Sequence, residues 1–249
     1  MLDVRNNLQA RTASRYHVSL AVDDGEIREA QRLRYKVFAE EMGARLASPL
    51  PDHDIDLYDP FCDHLLVRDL AGGEVVGTYR ILPPDAARRV GCYYSEQKFD
   101  LTRLGFLRPR MAELGRSCVH PAHRSGAVIA RLWLGLADYM TRYGYEYIVG
   151  CASIGMADGG HLAANVYRRV AARRLAPVEW HTTPRTRLPV ESLGDGQMSP
   201  LPPLIKGYLR LGAMVCGEPA WDPDFNTADL LMLLPMRQLD RGYARRLLG

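Results

Sequence analysis

Three aspartates crowd one short segment: Asp54, Asp56 and Asp59 stand in DIDLYD, with Tyr58 among them and Asp63 and His64 just beyond. Carboxylates packed this closely bind a cation, either a metal ion or an ammonium group. The spacing is not that of an EF-hand, which needs a central glycine and a terminal glutamate at fixed positions. Glu113 and Arg116 form a second pair, in ELGR. A carboxylate there can act as a base, and a guanidinium offers a planar fork to a carboxylate or phosphate. A third feature is HPAHRSGAVIARLW, from His120 to Trp133, where a turn containing Gly126 opens a helix. Free amides at a helix N-terminus make a site for an anion or a polarised carbonyl. Cys118, His120 and His123 are close in sequence, but no GxSxG elbow accompanies them, and a strand cysteine reads as a small core residue.

These residues need elements to position them. Glu113 and Arg116 fall on a predicted strand from Met111 to His120. Residues three apart on a strand point to opposite faces, so both serve one cleft only through a bulge, which Gly115 is expected to tolerate. Upstream, Tyr16, Val18, Leu20 and Val22 alternate as in a half-buried strand, and the DDG that follows starts a helix. Ile27, Ala30, Leu33, Val37 and Phe38 give that helix one apolar face, with an end near Met42 and Gly43. Residues 45–61 turn polar and proline-containing and read as a loop. His64 to Leu70 and Val75 to Leu82, joined by AGGE, predict a hairpin. After the PAHRSG turn come a long helix to about Tyr143, a strand from Tyr147 to Cys151, and a helix from about Gly159 to Arg174. Residues 177–203 read as a long connection. LIKGYLRLGAMVCG and ADLLMLLP read as further strands, the first with the option of beginning as a helix. The fold class predicted is α/β (α+β): a mixed, mostly antiparallel sheet flanked by helices, one domain over 1–249 with a C-terminal extension.

The composition, 47% apolar and 24% charged over 249 residues, is that of a folded protein. Only Lys36, Lys98 and Lys206 are lysines among 32 basic residues, a bias that suits carboxylate and phosphate binding and is equally a product of GC-rich coding. Five scattered cysteines without a CxxC pair point to a reducing compartment. MLDVRNNLQARTASRY lacks the apolar core of a signal peptide, and no run approaches the roughly 20 apolar residues that cross a bilayer. A cytoplasmic protein is expected, at most peripheral on the inner membrane face. The arginines do not cluster with the aromatic spacing of a nucleic-acid binder. From 237 to 249, Arg237, Arg241, Arg245 and Arg246 interleave with Leu239, Tyr243, Leu247 and Leu248. Such a basic amphipathic tail can lie on an anionic membrane or pack against the domain.

RLRYKVF (Arg34, Phe38), DIDLYD (Asp56, Asp59), VVGTYR (Arg80) and ELGR (Glu113, Arg116) together resemble the signature of acyl-homoserine-lactone synthases. ELGRSCVHPAHR, IVGCAS, LPPLIKGYLRLGA and FNTADLLMLLP resemble the ornithine lipid-forming N-acyltransferases, also described as hemolysin-like, over nearly the whole chain. The resemblance implies a GNAT-like fold. It further implies transfer of a 3-hydroxyacyl group from the acyl-phosphopantetheine of acyl carrier protein to the α-amine of ornithine, with no permanently bound cofactor. A thioester is already activated, so the protein must hold the amine, remove a proton and stabilise an oxyanion. Glu113 is the expected base, with Asp54 or Asp56 behind it. Amides around Ser117, Cys118 and Val119 would polarise the carbonyl, and Arg124, Gly126 and Ser153 join the substrate-binding set. Arg34, Arg80 and Arg116 either bind the acceptor carboxylate or brace the acidic loop, Arg34 the latter.

Four expectations follow for the structure. The strands carrying Met111 to His120 and Tyr147 to Ser153 should splay. Arg108, Arg110, Arg124 and Arg131 should form a docking patch for carrier protein. The tail should either contact an anionic membrane or pack against the domain. One of Asp54, Asp56 and Asp59 should recognise the side-chain amine of ornithine while another is held as scaffold by Arg34 or Arg80. The alternatives are a lactone or other long-chain N-acyl amino acid synthase, and a non-catalytic membrane-associated protein.

Overall fold

The computed structural model describes residues 15–197 and 199–239. β1 (Tyr16–Leu20) leads into α1 (Asp24–Tyr35), capped by the Asp23 carboxylate, which accepts from the Glu26 amide. α1 runs on as a π-helical turn, Lys36–Glu41, in which the Met42 amide reaches the Val37 carbonyl five residues back. Chain reversal at Gly43, with φ +74°, ends it where the sequence predicts. β2 (Asp63–Asp69) and β3 (Val75–Leu82) make the predicted hairpin. Next come α2 (Pro84–Val90), the short β4 (Phe99–Asp100), β5 (Met111–Val119), α3 (Ala127–Tyr143), β6 (Tyr147–Gly155) and α4 (His161–Arg174). The C-terminal third holds β7 (Thr183–Pro184), α5 (Val190–Leu193), α6 (Pro203–Leu211), β8 (Met214–Val215), β9 (Ala220–Asp222) and β10 (Thr227–Pro235).

Among the described residues, one sheet runs in the order β1-β2-β3-β5-β6-β10-β8, with β9 on the far part of β10. Its neighbours are antiparallel except β5 and β6, which are parallel. Strand alternation builds a core on each face. On β10, Ala228, Leu230, Met232 and Leu234 pack with the buried face of α3, while Leu231 and Leu233 pack with Phe99, Leu104 and Trp180 on the other side. A third cluster joins Ala30, Leu33 and Val37 of the first helix to Leu66, Val75 and Cys118.

Two readings change. LIKGYLRLGAMVCG is mostly helix: α6 starts on Pro203 at its first turn and stops at Gly212 with φ +103°, leaving only Met214–Val215 as strand. Proline at the start and a left-handed glycine at the end are helix boundaries, and these outweigh the apolar content that suggested a strand. The stretch 177–203 buries Trp180, Leu188 and Val190, and β7 pairs with β4, so it is packed structure rather than a loose connection. No described helix is long and apolar enough to cross a membrane. The basic tail lies, beyond Leu239, outside the described residues.

Candidate active site

β5 and β6 are paired only through Met111–Tyr147, Ala112–Ile148 and Glu113–Val149. Beyond that point they part, as predicted, while β6 stays paired with β10 along its whole length. The opening starts at Gly150, where an added Cβ would overlap the Leu114 carbonyl oxygen. Gly150→Ala is therefore expected to force the two backbones apart at the root of the cleft, lowering the melting temperature and acyl transfer together. A variant with unchanged melting and turnover would remove this role for Gly150.

The bulge lies one residue later than expected. On β3 Thr78 faces Cys118 and Arg80 faces Gly115, so Tyr79 alone opposes both Arg116 and Ser117. The left-handed conformation falls on Arg116 itself, with φ +51°, and not on Gly115. A non-glycine residue there costs of order 1–3 kcal/mol. The ion pairs that Arg116 makes with Asp54 at 2.9 Å and Asp56 at 3.1 Å hold it in place. The bulge turns Glu113 and Arg116 to one side: Tyr94 donates its amide to Glu113, and its ring lies 5.0 Å from the Arg116 guanidinium.

Around Arg116 three arginines interlock with the three loop aspartates. Arg34, fully buried, donates to Asp54 and, through both terminal nitrogens, to Asp59 at 2.8 Å. Arg80 bridges Asp56 at 2.6 Å and Asp59 at 3.3 Å. Each aspartate thus meets two guanidiniums. Asp54 and Asp59 have side chains only 3% exposed, but that of Asp56 is 22% exposed. Burial favours the neutral acid at Asp56 and Asp59, yet the guanidinium charges outweigh it and hold both carboxyls below the usual range.

Glu113 is buried and accepts from the Tyr94 amide at 2.6 Å, the Ser95 amide at 2.7 Å and the Ser95 hydroxyl. Desolvation exceeds these bonds and pushes its carboxyl above the usual range. A small cavity beside it is lined by Tyr58, Cys62, Arg80, Tyr94 and Gly115.

Several functional-looking residues were not legible beforehand. Lys98 is paired with both Asp222 and Asp229, and stacks over Tyr94 and Phe225 at 5.2 and 5.8 Å. Phe225 meets Arg116 at 5.1 Å and Phe38 edge-on at 6.4 Å, which carries Phe38 to the same cluster. Asp229 sits opposite the exposed Ser153 on β6. The usable signal was a carboxylate inside the apolar run ADLLMLLP, where every residue is buried.

Other expected residues go elsewhere. The Cys118 side chain packs toward the first helix, and burial pushes its thiol up to about 12, so only its backbone can face the cleft. Val119 packs against the main core, and Ser117 stands half-buried on the bulge opposite Tyr79. Gly126, with φ +96°, begins α3 after the turn that follows β5. Arg124 forks onto Glu41 at 2.6 and 2.7 Å, tying the π-turn to the start of α3. The four-arginine patch does not form: Arg108 and Arg110 precede β5 while Arg124 and Arg131 follow it, and nine strand residues separate the groups by about 25–30 Å. Arg108 and Arg110 are paired with Glu96 and Glu146.

A mixed sheet splayed beside a glycine-started helix is the frame of a GNAT acyltransferase. The Acetyltransferase (GNAT) domain family matches residues 33–134. The acyl-homoserine-lactone synthase LasI superposes with a TM-score of 0.53 at 16% identity, covering 90% of this chain and 91% of its own, a likeness of fold. The L-ornithine N(alpha)-acyltransferase of Rhodobacter capsulatus is 38% identical over 94% of this chain and 96% of its own length. That of Brucella abortus is 35% identical over 91% and 86%. The chain belongs to the L-ornithine N(alpha)-acyltransferase family.

Proposed function

We propose that the protein transfers a fatty acyl group from the phosphopantetheine thioester of acyl carrier protein to the α-amine of ornithine. The splayed β5–β6 cleft with an arginine–aspartate lattice on one wall carries this reading, together with the names of the relatives. The pantetheine arm enters between the parted strands, and the thioester carbonyl lies against the backbone of Ser117–Val119. Glu113 takes a proton from the α-ammonium through a water in the cavity beside Tyr94. The freed amine attacks the carbonyl carbon, the C–N bond forms, the C–S bond breaks, and the surplus proton on the nitrogen passes to the leaving thiolate. The acidic face of the carrier docks where Arg124, Arg131 and the first turn of α3 meet the mouth of the cleft.

Charge supports a cationic acceptor. Arg34, Arg80, Arg116 and Lys98 face six carboxylates, those of Asp54, Asp56, Asp59, Glu113, Asp222 and Asp229, leaving negative charge in surplus. Ornithine, with two ammonium groups and one carboxylate, offsets it. Asp56 is the loop aspartate open to an acceptor and recognises the side-chain ammonium; Asp54 and Asp59 are scaffold. The test uses purified protein with 3-hydroxyacyl carrier protein and a panel of amino acids, reading released thiol. Ornithine should be the preferred acceptor. Asp56→Asn should raise KM for ornithine over that for glutamine by about 1.5–3 kcal/mol, the worth of a charged hydrogen bond. Equal losses for both acceptors would leave Asp56 structural. No thiol release with any amino acid would refute the acyl-transfer reading.

A further inference from the structure

Two apolar cavities meet behind the cleft. The first is reached where β5 and β6 part and is lined by Leu114, Gly150, Cys151, Tyr208 and Met232. The second is lined by Leu134, Leu136, Ala137, Leu211, Met236 and Leu239. Trp133 and Ile148 line both. The two cavities are thus successive chambers with one shared wall, and the second lies farther from the reacting strand.

The indole in that wall is fixed. Tyr79 meets it edge-on at 6.1 Å and Tyr208 at 5.5 Å, and the two tyrosine hydroxyls are hydrogen-bonded to each other. Trp133 is 9% exposed and Ile148 7%. Side chains braced in this way do not swing aside at small cost, because the surrounding packing leaves few alternative rotamers. The far chamber differs. Leu134 and Ala137 are only partly buried, and its outer rim is the short turn at Met236–Gln238 with Leu239.

On the acyl-transfer reading above, the occupant of an apolar chamber continuous with the thioester cleft is the hydrocarbon chain of the donor. We infer that Trp133 is the chain-length determinant of this protein: the first chamber takes the part of the acyl chain next to the thioester, and the indole sets how much of a longer chain passes into the second. Neither cavity offers a charged side chain in its lining, which suits a hydrocarbon and not the polar acceptor.

The experiment compares acyl carrier donors of ten, fourteen and eighteen carbons with ornithine, for wild type, Trp133→Leu and Ala137→Phe, after each variant is shown to melt cooperatively. Trp133→Leu widens the wall and should raise kcat/KM for the eighteen-carbon donor relative to the ten-carbon donor by about ten-fold or more, the gain expected when two or three further methylenes leave water. Ala137→Phe fills the second chamber and should depress the longest donor while sparing the shortest. Calorimetric binding of free fatty acids of the same lengths should shift in parallel, a readout independent of turnover. A wild type that acylates ornithine while both variants keep its chain-length profile overturns the inference alone. A wild type inactive with every donor overturns the acyl-transfer reading and this inference with it.

Discussion

Arg34→Met should lower thermodynamic stability by about 3–5 kcal/mol, the loss typical of removing one partner from a buried ion-pair network. For a domain of this size that corresponds to a fall of roughly 6–20 °C in melting temperature. The guanidinium is fully buried and supplies one of the two cationic partners of both Asp54 and Asp59. Its loss leaves Asp54 with Arg116 alone and Asp59 with Arg80 alone at 3.3 Å, on side chains only 3% exposed. The pH dependence gives the sign. In the wild type the Asp56 and Asp59 carboxyls are depressed, so their stabilisation is complete above the unfolded aspartate range and is lost as pH falls through their folded values. In Arg34→Met, Asp59 loses its chief partner and burial dominates, so acidification toward pH about 4 should narrow the gap between variant and wild type. Adding Asp59→Asn should restore part of the loss at neutral pH. Urea unfolding at several pH values tests this, and a single variant that melts within about 2 °C of wild type would sink the bracing role.

Glu113→Gln should cut kcat by about 10²–10⁴-fold, the range for a positioned general base. The carboxyl is raised by desolvation, which brings it closer to the amine it must serve than any of the depressed aspartates. An amide at this position also turns a donor toward the Tyr94 and Ser95 amides, which now donate to the carboxylate, so some destabilisation of about 1–3 kcal/mol is expected as well. A structural effect of that kind would not change the shape of a pH profile. The distinguishing result is the acidic limb of kcat/KM: present in wild type, where protonation of Glu113 stops the reaction, and absent in the variant. Glu113→Asp, which keeps the titrating group, should retain the limb at reduced rate. If the limb persists in Glu113→Gln with kcat reduced less than ten-fold, Glu113 is a structural acceptor and the base lies elsewhere.

The elements legible in the sequence are those whose signals are local. The alternation at Tyr16–Leu20, the 3.6-residue face of Asp24–Tyr35, the hairpin at Asp63–Leu82 and the helix opened by Gly126 are all written within a few neighbouring residues. The same holds for the splay of β5 from β6, expected once the order of elements and their resemblance to a known fold are read together. Where two local signals competed, as in LIKGYLRLGAMVCG, the caps were the better guide than the apolar content.

Which charges meet is a matter of tertiary packing. Arg34 finds Asp54 and Asp59 twenty and twenty-five residues away, and Arg116 reaches back sixty-two residues to Asp54. Lys98 and Asp229 are separated by 131 positions, and nothing periodic joins them. With 32 basic and 29 acidic residues, charge complementarity alone permits hundreds of pairings. Burial selects among them, because a carboxylate or guanidinium removed from water must find a partner and the fold offers very few. The bulge shows the same division: the sequence indicated that one was needed between Glu113 and Arg116, but the ion pairs of Arg116 placed the left-handed residue on the arginine and not on Gly115. The paired chambers behind Trp133 are likewise a product of the packing of α3, α6 and three strands, whose contacts lie too far apart in the chain for any local pattern to record.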